Sequence, residues 1–195
     1  MELRFDAENH LYFVDDIEKP SVTKIISQVG LTDFSAVPAP VMAKALKFGT
    51  AAHITTELED KNELDYSSLS APLIPYLNAW KKFKAEHSFV PIDIEKKFYC
   101  SLYGYCGTID RIGTADGRKI ILDIKTSTTM SPATAIQTAA YALGINEPKT
   151  ERWGVQLKAD ETYSITPYTD AGDFALFLSA LNIWRWKNKN KLIKR

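Results

Sequence analysis

The feature that most constrains this chain is the block "PIDIEKKFYCSLYGYCGTIDRIGTADGRKIILDIKT" at residues 91–126. Its β-branched and aromatic runs, broken by turn residues, predict three strands at about 91–101, 105–113 and 118–126. Gly104 sits in the first turn. Asp116-Gly117 is a two-residue hairpin signal in the second. Strand residues of equal parity share a face, so Asp123 and Lys125 are neighbours, with Ile121 before them. A turn centred on 116–117 puts Asp110 opposite Asp123 or Ile124. Burying a charge is expensive unless it is paired or bound to a metal. Two readings are open at this point: solvated strand ends, or strands converging on a site.

The flanking sequence alternates between strand and helix patterns. Residues 2–19 carry Leu3, Phe5, Leu11 and Phe13 in alternation, with turns around Asp6–Asn9 and at Asp15-Asp16, and read as a β-hairpin. "PSVTKIISQVG" predicts a short helix with Ser21 as N-cap, an apolar face of Val22, Ile25, Ile26 and Val29, and Gly30 as the stop. An Ala-rich helix is expected over about 40–60. A second amphipathic helix is expected over about 68–88, from Leu69, Leu73, Tyr76, Leu77, Trp80 and Phe83. "SPATAIQTAAYALGI" predicts a helix with Ser131 as N-cap and Pro132 at its first position. Two strands joined by a turn at Ala159–Glu161 and a final helix over 171–190 complete the order. This pattern predicts an α/β (α+β) single domain over 1–195: a hairpin and short helix in 1–36, then a helical segment and core in 37–195.

Composition narrows the chemistry. Two cysteines, Cys100 and Cys106, cannot supply a four-thiolate zinc or iron–sulfur site, and free thiols are expected. No apolar run reaches the roughly 18 residues of a membrane span. The N-terminus lacks the plan of a signal peptide, so a cytoplasmic location is expected. The 24 basic and 24 acidic residues balance. The distribution says more: from Arg185 onward come Lys187, Lys189, Lys191, Lys194 and Arg195 with no acid. Such a tail is either a solvated helix end or a phosphate contact. In Trp184 and Trp186 we read one core anchor and one exposed ring.

Several further residues fall at spacings that carry chemistry. His53 and Glu57 stand four apart on the Ala-rich helix, as do Gln137 and Tyr141 on the helix after the third strand. Gly49 within a helix costs roughly 1 kcal/mol against Ala, which suggests close packing or close approach of a ligand. Each piece has an ordinary surface reading. Taken in order, Gly49-Thr50-x-x-His53-x-x-x-Glu57, Glu95 in a strand, Gly107-x-x-Asp110, Asp123-x-Lys125-Thr126 and Gln137-x-x-x-Tyr141 form a set. That set resembles the RecB-type, Cas4-like branch of the PD-(D/E)XK nuclease superfamily, without the iron–sulfur cluster. The opening "HLYFVDDIEKPSVTKII" also resembles small phage-encoded exonucleases of this group.

The resemblance implies a restriction-endonuclease-like core, with a mixed central sheet flanked by helices. It implies a Mg²⁺- or Mn²⁺-dependent nuclease hydrolysing DNA phosphodiesters, most simply an exonuclease at DNA ends. A structure- or site-specific endonuclease and a non-catalytic nucleic-acid-binding module are the alternatives. His53, Asp110, Asp123 and the Ile124 carbonyl would hold the metal. Lys125 would place or deprotonate the attacking water, and Glu95 would be a further acid. Gln137, Tyr141 and Thr126 would contact the substrate strand, and Gly49 and Glu57 would support the site. The implied partner is DNA, single-stranded or at duplex ends, with no membrane and with room for a recombination or replication protein partner.

Overall fold

The computed structural model describes residues 1–33 and 35–193, so Lys194 and Arg195 of the basic tail lie outside the described residues. The three-strand block forms as β4 (Val90–Cys100), β5 (Tyr105–Ala115) and β6 (Arg118–Lys125), paired antiparallel. Asp116 and Gly117 take φ of 50° and 77°, the left-handed pair that a two-residue turn demands. β7 (Glu151–Leu157) then pairs parallel to β6, and β8 (Tyr163–Pro167) closes the sheet antiparallel to β7. The order is β4-β5-β6-β7-β8. A parallel neighbour needs a crossover, and α4 (Ala133–Gly144) supplies it.

Being central and covered on both faces, β6 is apolar almost without alternation: Ile120, Ile121, Leu122 and Ile124 are all fully buried. Asp123, between them, is buried too. That closes the question left open by the sequence, because Asp123 is no solvated strand end. Ile120, Leu122 and Ile124 pack with Trp80 and Phe83 of α3 (Ile74–Glu86). Ile121 packs in a second cluster with α1 (Val22–Val29), α4 and α5 (Gly172–Lys189). Trp80 and Phe83, stacked 5.2 Å apart, each bury on the order of 200 Å², about 5 kcal/mol of transfer free energy before entropy is counted. Arg152, also buried, ties α4 to α5 by donating to the Ala135 carbonyl at 3.0 Å and to Asp173 at 2.9 Å.

α1 is capped as its sequence predicts: Ser21 Oγ accepts from the Lys24 N–H at 3.1 Å, and Gly30 ends it at φ 89°. The long helix α2 (Ala39–Lys61) matches the Ala-rich stretch. The helix expected over 68–88 is shorter. Pro72 and Pro75 lack an N–H, so a 3-10 turn at Ala71–Leu73 precedes α3. At the start of α4, Pro132 already has helical angles, and Ser131 Oγ accepts from the Ala133 N–H at 3.2 Å.

In the N-terminal region the expected hairpin forms as β1 (Leu3–Asp6) and β2 (Leu11–Val14), and β3 (Ile17–Lys19) extends it into a three-stranded antiparallel sheet. In β2 the buried residues are Tyr12 and Val14, not Leu11 and Phe13. The register explains this: Leu3 pairs with Val14 and Phe5 with Tyr12, so these four share the inward face and pack with Cys106 and Tyr99. Phe13 lies outside under the Arg4 guanidinium, 4.1 Å away. Cys100 and Cys106 are free and buried. Trp184 donates to Gln28 at 2.8 Å, while Trp186 is 60% exposed. Among the described residues no helix is long and apolar enough to cross a membrane.

Candidate active site

The end of β6 forms the floor of the site. Asp123 Oδ1 accepts from Gln137 Nε2 at 2.8 Å, and the same amide donates to the Tyr141 hydroxyl at 2.5 Å. The Lys125 ammonium stands 2.6 Å from Asp123 Oδ2, a charge-assisted contact. Oδ2 is therefore a buried carboxylate oxygen engaged by that ammonium. Asp110 sits just beyond the last β5–β6 pair, Arg111 with Leu122, and its Oδ2 accepts from the Ile124 N–H at 2.7 Å. Gly107 makes room nearby. A Cβ there would fall 2.8 Å from Phe98 and 3.3 Å from Tyr141, so only a glycine lets these rings lie flat on β5.

Two further side chains come in from other elements. His53, on α2, places Nδ1 3.6 Å from Asp110 Oδ2 and 4.0 Å from Glu95 Oε1. One ligand atom from each of His53, Glu95 and Asp110 lies within 4.8 Å of the others. Glu95 reaches this cluster through a distortion. Its φ is 49° in the middle of β4, and the pairs Ile94–Arg111 and Lys96–Ile109 flank it without including it. A non-glycine residue in that region of φ is uncommon and is typical of sites where the surroundings over-determine the backbone.

A second charged network backs the cluster. Arg111 is fully buried. It donates to Asp60 Oδ2 at 2.7 Å, to Glu95 Oε1 at 3.1 Å, to Thr56 Oγ1 at 3.2 Å and to the Asp110 carbonyl at 2.5 Å. Asp60 Oδ1 also accepts from Trp80 Nε1 at 3.0 Å and from Lys84 at 2.7 Å. Arg111 and Asp60 went unnoticed in the sequence. The available signal was spacing, since His53, Thr56 and Asp60 stand at i, i+3 and i+7 on one helix face.

The structure brings together His53, Glu95, Asp110, Asp123, Lys125, Gln137 and Tyr141. Glu95 joins the three-residue cluster with His53 and Asp110, whereas Asp123 is engaged by Lys125 and Gln137. The contacts recorded for Gln137 and the buried Tyr141 are directed at Asp123 and at each other. Ile124 enters through its N–H. Glu57 turns to Lys61, 2.6 Å away, and stands outside the cluster. A Cβ on Gly49 would meet only Thr126 Oγ1, at 3.8 Å, which is ordinary contact. Tight packing of the helix therefore does not account for this glycine.

Electrostatics show what the cluster lacks. Burial, then repulsion from Asp110, pushes the Glu95 carboxyl up to about 8 against the pull of Arg111. Burial also pushes Asp123 up to about 6, with Asp110 adding to it and Lys125 opposing it. Burial works against the Lys125 ammonium, but attraction by Asp123 and Asp110 outweighs it, and its pKa moves up. Burial holds the Tyr141 phenol well above its usual value. Three carboxylates crowd together with too little positive charge among them. A divalent cation reverses that balance. Carboxylate oxygens with one imidazole are a donor set suited to Mg²⁺ and equally to Mn²⁺. The residues fit such an ion.

Comparison with known proteins places this geometry. The crystal structure of an alkaline exonuclease, LHK-Exo from Laribacter hongkongensis, is similar at a TM-score of 0.51 and 9% identity, over 89% of each chain. A structure of LHK-Exo in complex with dAMP gives 0.44 at 12% identity, over 89% of each chain. The structure of SSO0001 gives 0.37 at 16% identity, over 71% of each. The first of these speaks to the fold alone, and the other two are too distant to carry weight. No curated protein sequence matches the chain significantly. A sequence profile, by contrast, matches residues 38–177, from the start of α2 into α5 and across every residue of the cluster. On that match, which spans well over half of the sequence, the chain belongs to the PD-(D/E)XK nuclease superfamily.

Proposed function

We propose that the protein is a divalent-metal-dependent nuclease that hydrolyses DNA phosphodiesters, working as an exonuclease from DNA ends, with residues 1–195 acting as one unit. The observation that carries this is the cluster of His53, Glu95 and Asp110 at one end of the sheet, with the buried Asp123 and its partner Lys125 beside it. An exonuclease is also what LHK-Exo, whose fold the chain shares, is described to be.

When bound, a Mg²⁺ or Mn²⁺ ion would supply Lewis acidity and a water of lowered pKa. His53, Glu95 and Asp110 would hold it, with Asp123 Oδ2 and the Ile124 carbonyl as further donors. Lys125, kept protonated by the two aspartates, orients the attacking water and offsets charge developing on the phosphate rather than acting as a base. Gln137 and Tyr141 fix the Asp123 carboxylate, and Gln137 and Thr126 face the incoming strand. The fixed carboxylate keeps the reacting groups in place at no cost during the reaction.

The test uses linear and covalently closed circular single-stranded DNA, each with Mg²⁺ or Mn²⁺. Loss of linear DNA with the circle spared is expected. Cutting of the circle shows an endonuclease instead. Metal-dependent binding with no cleavage of either substrate leaves a non-catalytic module.

A further inference from the structure

Glu95 is the only non-glycine residue with positive φ inside a helix or strand among the described residues; every other such residue lies in a turn, a loop or a helix cap. A strain of this kind persists only when surrounding contacts impose it. The contact present is Arg111, whose NH1 touches both Glu95 Oε1 and the Asp110 carbonyl. That Glu95 oxygen is also the one facing His53 Nδ1.

The other side of the guanidinium holds α2. Arg111 NH2 donates to Thr56 Oγ1, and Thr56 Oγ1 in turn donates to the His53 carbonyl at 2.9 Å. Arg111 Nε bonds Asp60, which Trp80 and Lys84 of α3 fix in place. One buried side chain therefore holds the strand bearing Glu95, the backbone of Asp110 and the helix bearing His53. Among the described residues no other side chain bonds both α2 and Glu95.

We propose that Arg111 is a positioning residue that sets the spacing between His53 and Glu95, and thereby the affinity of the cluster for a divalent cation. This rests on reading the cluster as a metal site. Residues that orient metal ligands typically change metal affinity by about 10–100-fold when altered. Arg keeps a planar fork that Lys cannot reproduce, so Arg111→Lys retains the charge and loses the geometry.

The experiment is a calorimetric titration of purified protein with Mn²⁺ alone, well below the melting temperature read by circular dichroism. Folded Arg111→Lys is expected to bind Mn²⁺ about 10-fold or more weakly. Thr56→Val keeps shape and loses one bond on each side, and is expected to weaken binding several-fold when titrated well below its own melting temperature. A purely scaffolding role would lower melting temperatures and leave the Mn²⁺ affinity of folded protein untouched. Affinity within twofold of wild type in Arg111→Lys therefore overturns the proposal. If that variant does not fold, unchanged affinity in Thr56→Val does so. A wild-type protein that binds no Mn²⁺ overturns the metal reading itself, and the inference falls with it.

Discussion

Asp110 and Arg111 are neighbours in β5, yet they belong to buried charge clusters of opposite character. On the Arg111 side every charge is answered: Asp60 receives Arg111, Lys84 and the Trp80 indole, and Arg111 uses all its nitrogens. On the Asp110 side three carboxylates, Glu95, Asp110 and Asp123, converge on one ammonium and one imidazole, and the guanidinium reaches only Glu95 among them. A satisfied network holds elements together, whereas an unsatisfied one stores a demand that something from outside must meet. The same protein interior thus treats one cluster as framework and its neighbour as a receptor for charge.

Variants can break this contrast. The largest effect is expected from Asp123→Asn or Lys125→Ala, with DNA hydrolysis reduced about a thousandfold or more, about 4 kcal/mol of transition-state stabilisation. The melting temperature of Asp123→Asn should change little, since a desolvated carboxylate is removed while the partly exposed Lys125 ammonium can turn to solvent. Activity measured beside thermal unfolding checks both halves. On the framework side the order reverses. Asp60→Ala removes the carboxylate shared by Arg111 Nε, Lys84 and the Trp80 indole, leaves the buried guanidinium with Glu95 as its one carboxylate, and should cost roughly 3–5 kcal/mol in urea unfolding. Next, Mn²⁺ at about 100 times its Kd should stabilise the wild type by about 2.7 kcal/mol. That gain, read as a rise in melting temperature, should vanish in Asp110→Asn. The smallest change is Gly49→Ala. Its Cβ fits beside Thr126, so the helix should gain up to about 1 kcal/mol. If the glycine is there to admit the substrate strand, KM for DNA should rise with kcat kept. Unchanged KM would remove Gly49 from the site.

The strand block and the hairpin at Asp116-Gly117 were legible because turn chemistry is local: only residues tolerant of positive φ can make that turn. The spacing in β6 also placed Asp123 and Lys125 correctly on one face. The N-terminal hairpin was legible too, but its inward face was not: that depends on register with a partner strand, and alternation in Leu11 and Phe13 carries no record of it. Glu95 was the least defined acid in the sequence, since a mid-strand left-handed φ has no signature at a glutamate. Arg111 was hidden for a related reason. A charged residue in a strand reads as a surface position until the helix that pairs it is known. The i, i+3, i+7 stripe of His53, Thr56 and Asp60 was visible, but its partner lies fifty residues downstream, and only the fold brings the two together.

The kink at Glu95 has a consequence for how copies of this chain meet. β4 is an outer strand eleven residues long, with one edge unpaired by the five-stranded sheet. A straight strand of that length is a template on which a second chain can continue the sheet. Here the backbone slips register between Pro91 and Asp93 and turns left-handed at Glu95, so no long run of evenly spaced N–H and carbonyl groups is presented. The far edge, β8, is only five residues long and ends in Pro167. The distortion that aims an acid inward therefore also interrupts the exposed edge, and a change that straightened β4 would be expected to raise the tendency to aggregate along with the loss of the site.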